Sequence, residues 1–545
     1  MRAKSTRIPL LIAVFVTVGP SLFAAAPAAA ATGVTVSERV VSVRSSVPAT
    51  VRNPRQVTFL DARSRPLHWR QLTRGYQRVQ RFTVSSPVAV VRLGSHALRR
   101  RDGRWLAGRT VKVATRRPAL SAPVSSVGPV TVTPAEQSGA DPAQPLPAPP
   151  AGSSLPLVAP ASAGAFIDSV GVNVHMSYFS TPYNDWQQVR DKLAALGVHH
   201  VRDAACVGCT AQRQRLLSLA ASGIGVDFMM GSPGGTTGSL PDLVSMLSGP
   251  MRPAVDAVEG PNEYDQSGDA GWAANLRAYQ QQLYGLMKGT ADLASVPVIG
   301  PSLVRSSSFA ALGDLSGSLD WGNMHPYAGG QVPAINLALN ATSEGAVAAS
   351  KRAVATEAGY QDAVNATSGQ PPVSEEAGGD YIPRLVLDMF QAGVPRTYIY
   401  ELLDEKADAA GTQPESNFGL LRNDFSEKPA FRSLAALLHL TAPVGRFDPS
   451  GLHLAVDGSS DTRELLLQTG PHSFALVLWR DVTVWDQSTR KPIDVAPTDA
   501  QVQLGPEVTR AELSYLDNSG SPQTLSGTTA EVALIGMPAV LTLTT

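Results

Sequence analysis

The sequence predicts an α/β protein built on a (β/α)8 barrel, with a small N-terminal β-rich module before it and a C-terminal β-sandwich after it. Three observations predict this. Between residues 165 and 441, short apolar strand candidates alternate with amphipathic helical stretches, the pattern of a parallel sheet. The candidates number eight, and eight such units in about 270 residues match a closed barrel. On either side of that region the pattern changes to short alternating runs broken by turn-forming residues.

Residues 1–31 read as a secretory signal peptide. Arg2, Lys4 and Arg7 give a basic start, Ile8 to Val18 an apolar run, and Ala24 to Ala31 an Ala-rich cleavage region. The run is too short to span a bilayer easily, and no other segment is long and apolar enough. The expectation is an exported chain, secreted or associated with the cell envelope, with no transmembrane segment when mature.

Residues 32–117 form the β-rich module, with runs such as Val34-Thr35-Val36 and Phe82-Thr83-Val84 interrupted at Asn53-Pro54 and Asp102-Gly103. The chain as a whole balances 45 basic against 45 acidic residues, but this segment does not. Eighteen arginines and one lysine face three acids, Glu38, Asp61 and Asp102, so the module is strongly basic and the rest acidic. Such a surface attracts polyanions. In an exported chain the expected partner is an anionic cell-envelope polymer; the rival reading is a basic surface that only packs against the acidic remainder. Nucleic acid is not expected, because no recognised nucleic-acid fold is present. Residues 118–164 are rich in Pro, Ala, Ser and Gly and read as a solvated linker.

The barrel strand candidates are, in order, 170–174, 198–202, 224–228, 255–259, 296–300, 321–325, 352–356 and 397–401. An open doubly wound sheet is the rival, but no Gly-rich phosphate loop follows the first strand. In a barrel the residues just beyond the strand C-termini line the site, and Asn262, Glu263, His325, Tyr327, Glu357 and Glu401 fall there. His175 follows the first strand. His199 and His200 lie within the second and are expected to pack. Residues 442–545 return to strands such as Phe474 to Trp479 and Glu531 to Ile535, the C-terminal sandwich. The two cysteines, Cys206 and Cys209, are expected to form a local disulfide in an oxidising compartment.

Two motifs carry the chemistry. Val258-Glu259-Gly260-Pro261-Asn262-Glu263 and Ala355-Thr356-Glu357-Ala358-Gly359-Tyr360 each end an apolar strand and deliver a carboxylate into a loop of small or polar residues. Two carboxylates on separate strand ends are what glycosidic cleavage requires: a proton donor, and a nucleophile or base. Glu259, earlier in its strand, is expected to be structural. No Gly-x-Ser-x-Gly elbow or His-Glu-x-x-His motif supports other hydrolytic chemistry.

Residues 165–440 resemble the clan A retaining glycoside hydrolases, barrel enzymes with catalytic glutamates after the fourth and seventh strands. The resemblance rests on Gly260-Pro261-Asn262-Glu263, His325-Pro326-Tyr327 and Thr356-Glu357, with Arg202 at the second strand and Phe418-Gly419-Leu420-Leu421 leading to Lys428-Pro429-Ala430 after the eighth. The barrel with a C-terminal β-domain is similar to family 39 organisation, and also to cellulase-like family 5 members. The resemblance implies Glu263 as general acid/base and Glu357 as nucleophile. It implies Asn262 on the hydroxyl beside the anomeric carbon, Tyr327 and Arg202 orienting Glu357, and His325 positioning Glu263 or the sugar. His175 and Glu401 are expected to contact the poly- or oligosaccharide. No cofactor or metal is expected. The alternative is a catalytically dead barrel that binds carbohydrate or anchors to the envelope.

Overall fold

The computed structural model describes residues 155–517 and 522–545, and the backbone of nine short strands between Val14 and Leu106. Residues 1–132 form one compact unit and residues 133–545 another. In the first, Gln56–Leu60, Pro66–Gln71, Val90–Leu93, His96–Arg101 and Arg104–Leu106 build a five-stranded antiparallel sheet. The expected signal peptide, apart from Val14–Phe15, and residues 118–154 of the expected linker lie outside the described residues.

The second unit holds the barrel. Its strands are β1 (Val170–Asn173), β2 (His200–Ala204), β3 (Gly225–Met229), β4 (Val255–Glu259), β5 (Val298–Ile299), β6 (Gly322–Met324), β7 (Ala353–Ala358) and β8 (Thr397–Ile399). They pair in parallel in the order β5-β4-β3-β2-β1-β8-β7-β6. A parallel bridge between Ile299 and Trp321 joins the two ends and closes the cylinder. Apolar runs on these strands bury both faces, as parallel strands require. Val172 and Val201 face a layer of helices with Val189, Leu193 and Leu196 of α1 (Trp186–Leu196). Ala257, Ile299, Val354 and Tyr398 fill the inside with Trp321. Asp185 caps α1, and Gly197 ends it in the left-handed region (φ 85°). After the seventh strand, Ser374 caps α2 (Glu375–Gln391), with Glu375 and Glu376 in its first turn, where the helix dipole favours them.

The linker was expected to run to residue 164. Instead, Leu157–Val158 and Ala161–Ser162 add as edge strands to the two C-terminal sheets, and Ala163–Asp168 is already helical. These residues are apolar enough to pair, and the Pro/Ala composition of what precedes them masked it. The second strand begins at His200. His199 therefore stays exposed, contrary to its expected packing, while His200 is buried against Asp168 and Asp256.

The C-terminal sandwich has a four- and a six-stranded sheet. Strand alternation explains how the larger sheet serves two cores. Phe474, Leu476 and Leu478 point into the sandwich with Leu466, Val502 and Val532. Ala475, Val477 and Trp479, on the other face, join the barrel's helix layer. Trp479 is fully buried, and its indole N–H donates to Asp388 of α2 at 3.0 Å.

Candidate active site

The loop after β4 is built by close approach. A Cβ at Gly260 would sit 2.9 Å from the Pro301 backbone nitrogen, so glycine lets this loop pass against the chain after β5. Glu263 then adopts a left-handed conformation (φ 46°), uncommon for a residue with a side chain and costing about 1–3 kcal/mol. Its backbone N–H donates to Ser302 Oγ at 3.0 Å, which helps hold the turn. Such strain is kept where a side chain must point in a particular direction.

Glu263 and Glu357 converge. An oxygen of each and a ring nitrogen of His325 lie within 4.8 Å of one another. His325 Nδ1 is 2.8 Å from Glu263 Oε1 and 3.6 Å from Glu357 Oε2. Glu357 is buried, yet both of its oxygens have donors: Arg202 at 2.8 Å on Oε1 and the Tyr327 hydroxyl at 2.9 Å on Oε2. Burial opposes its charge, but the Arg202 guanidinium and the Tyr327 hydroxyl, both bonded to it, help hold the carboxyl below the usual carboxylate range. Burial, and then the negative field of Glu357, raises the Tyr327 phenol well above its usual value, so it remains a donor.

Arg202 is the hub. Its guanidinium donates to Glu259 through Nε (2.9 Å) and Nη2, to Asn173 Oδ1 and Glu357 Oε1 (both 2.8 Å), and to Asn262 Oδ1 (2.8 Å). Glu259, fully buried, is thus the anchor of Arg202, which is the structural role the sequence suggests. Asn262 Oδ1 also accepts from Ser302 Oγ at 3.1 Å. With its oxygen held twice, Asn262 has its amide N–H groups as the donors it can offer a ligand.

His175, Glu401 and Glu405 form a second group, with donor atoms within 4.8 Å of one another. Both groups have spacing that could hold a metal ion. Glu401 was expected to touch sugar, but its side chain is 0 % exposed. It accepts from the Tyr183 hydroxyl at 2.9 Å and lies 3.4 Å from His175 Nε2. Burial, with Glu405 nearby, pushes its carboxyl well above the usual range. It lies beside His175 without a hydrogen bond to it and offers no surface to a substrate. Its donor Tyr183, in the loop after β1, was assigned no role in the sequence. His175 keeps an accessible face, stacked on the ring of Tyr178 at 4.5 Å. Burial, followed by the Arg202 charge, lowers the imidazole to about 4.

Cys206 and Cys209 form a disulfide at the start of the helix Thr210–Ala221, in the loop after β2. Trp272 and Trp321 pack in interior clusters. Sequence reasoning missed Asn173, Ser302, Asn323 and Tyr183. Asn323 was the most findable, since it lies on β6 two residues before His325, which continues the strand's direction and so shares its face.

No protein-family model matches the sequence, and no curated protein matches it. Solved structures do. A family 39 glycoside hydrolase from the gut symbiont Bacteroides cellulosilyticus WH2 aligns over 98% of this chain and 99% of its own, at 14% identity and TM-score 0.51. A monomeric β-xylosidase from Caulobacter crescentus CB15 covers 71% of this chain and 97% of its own, at 14% identity and TM-score 0.50. At such identity the likeness is one of fold, and the family of the first neighbour is one that the sequence motifs resemble.

Proposed function

We propose that the chain is a glycoside hydrolase that cleaves O-glycosidic bonds of a poly- or oligosaccharide with retention of configuration. The observation that carries this is the convergence of the two carboxylates, one oxygen of each lying within 4.8 Å of the other. Retaining enzymes hold their carboxyl groups about 5–5.5 Å apart, whereas inverting enzymes leave about 6.5–9.5 Å for a water, and so close an approach of oxygens favours the shorter spacing. Glu357, ionised through Arg202 and Tyr327, attacks the anomeric carbon. Glu263 protonates the leaving oxygen as that bond breaks, then takes a proton from the water that releases the glycosyl-enzyme. Asn262 donates to the hydroxyl beside the anomeric carbon, a contact that strengthens as positive charge develops there. In this reading the chain is exported, and the basic residues 32–117 hold it near an anionic envelope polymer.

The test is sugar release from a broad panel of polysaccharides and envelope glycans, with Glu263→Gln and Glu357→Gln beside the wild type. Release by wild type alone supports the proposal. Equal release by both variants refutes the assignment, and envelope binding that persists without any release favours the non-catalytic alternative.

A further inference from the structure

Behind the paired glutamates lies a chain of buried groups whose hydrogen-bond directions are determined one by one. Asn323 Nδ2 donates to the carbonyl of Gly300 at 3.0 Å. A carbonyl only accepts, so this contact turns the Asn323 oxygen toward Thr356. The Thr356 hydroxyl donates to that oxygen at 2.7 Å. Its single proton is then engaged, and from His325 Nε2, 3.0 Å away, it can only accept. The ring proton of His325 therefore sits on Nε2, and Nδ1 faces Glu263.

We propose that Asn323 and Thr356 are positioning residues that lock the His325 tautomer and so keep a transferable proton on Glu263. Both are 0 % exposed and touch no substrate. With Nε2 protonated, the neutral ring turns a lone pair toward Glu263 Oε1, and the carboxyl must supply the proton of that 2.8 Å bond. The opposite tautomer would donate from Nδ1 and favour ionised Glu263, which has no proton to give. Once Glu263 protonates the leaving oxygen, its carboxylate faces that lone pair and is primed to take a proton from water. Among the described residues, the charged and titratable groups around the ring are Glu263 from the β4 loop, Glu357 from β7, and Tyr327 beyond β6; Arg202 of β2 reaches it through Glu357, and Glu415 acts on both glutamates through its charge.

The inference rests on Glu263 being the acid, so Glu263→Gln is run in parallel. Aryl glycosides of the sugar that wild type cleaves are compared across leaving groups. Thr356→Val is expected to lose tenfold or more in kcat/KM for a phenyl leaving group and less than twofold for dinitrophenyl, which needs no proton. Its basic pH limb should move to lower pH, and Thr356→Ser should restore both properties. If Thr356→Val does not fold, Asn323→Leu frees the hydroxyl to donate to Nε2 and should give the same split. Equal losses across leaving groups, or none, overturn the proposal. If Glu263→Gln itself shows no leaving-group dependence, the acid assignment has failed instead. Nitrogen-15 histidine spectra give a readout independent of substrate: His325 should be protonated on Nε2 in wild type, and an Nδ1–H tautomer there overturns the proposal directly.

Discussion

Replacing Arg202 with Met should separate the two services this residue performs. Arg202 is buried and bonded to two buried carboxylates, Glu259 and Glu357. Met fills much of the volume but leaves both acids without their cation. Breaking a buried ion pair by removing one partner costs about 3–5 kcal/mol. Most of the stability loss should come through Glu259, which is fully buried and pairs with Arg202 alone among the described residues. The catalytic loss comes through Glu357 and Asn262. Losing a charge-assisted bond is worth about 1.5–3 kcal/mol, which is roughly ten- to 150-fold in kcat/KM. Glu357 would also ionise less readily, so the acidic limb of the pH–rate profile should move to higher pH. The assay is thermal unfolding and pH-resolved kinetics on Arg202→Met, Glu259→Gln and the double variant. The double variant should recover much of the stability, because the orphaned charge is gone, and none of the activity. Recovery of activity in the double variant, or an unmoved acidic limb, would show that Arg202 does not hold Glu357 ionised.

Other outcomes follow from the same structure. Tyr327→Phe removes the donor on Glu357 Oε2 and should lower kcat/KM about tenfold while raising the acidic limb, read in the same pH-resolved kinetics. Trp479→Ala should cost about 3–5 kcal/mol by opening the seam between sandwich and barrel, seen as a lower denaturation midpoint. Burial raises Asp203 and Asp404 to about 7 and Glu344 to about 8. In each case the folded chain binds a proton that the unfolded chain has released between about pH 4 and the raised value, so stability should fall as pH rises through that window, with a higher melting temperature at pH 5 than at pH 8. Exhaustive EDTA treatment should leave hydrolysis unchanged, since both half-reactions are assigned to side chains; loss of activity restored by a divalent ion would show that one of the two His/Glu groups is a working metal site.

The barrel was legible because parallel strands buried on both faces read as apolar runs, and β4 runs over Val255–Glu259 as the alternation indicates. The convergence of Glu263 and Glu357 was legible because one follows β4 and the other lies at the end of β7. The linker's end was not, since two-residue edge strands carry too little pattern to show. Nor was the burial of Glu401, because nothing local to it announces that Tyr183, 218 residues earlier, bonds its carboxylate. The proton-ordering chain through Asn323 and Thr356 depends on a carbonyl contributed by Gly300, a strand away in space, and only three-dimensional placement reveals it.

In the proposed mechanism Glu357 forms a covalent glycosyl-enzyme with Glu263 as its acid partner. The most direct measurement is mass spectrometry of peptides after incubation with a panel of 2-deoxy-2-fluoroglycosyl fluorides, whose intermediates turn over slowly. A single sugar adduct is expected on the peptide carrying Glu357, formed in wild type and absent from Glu357→Gln. An adduct on a different carboxylate would contradict it.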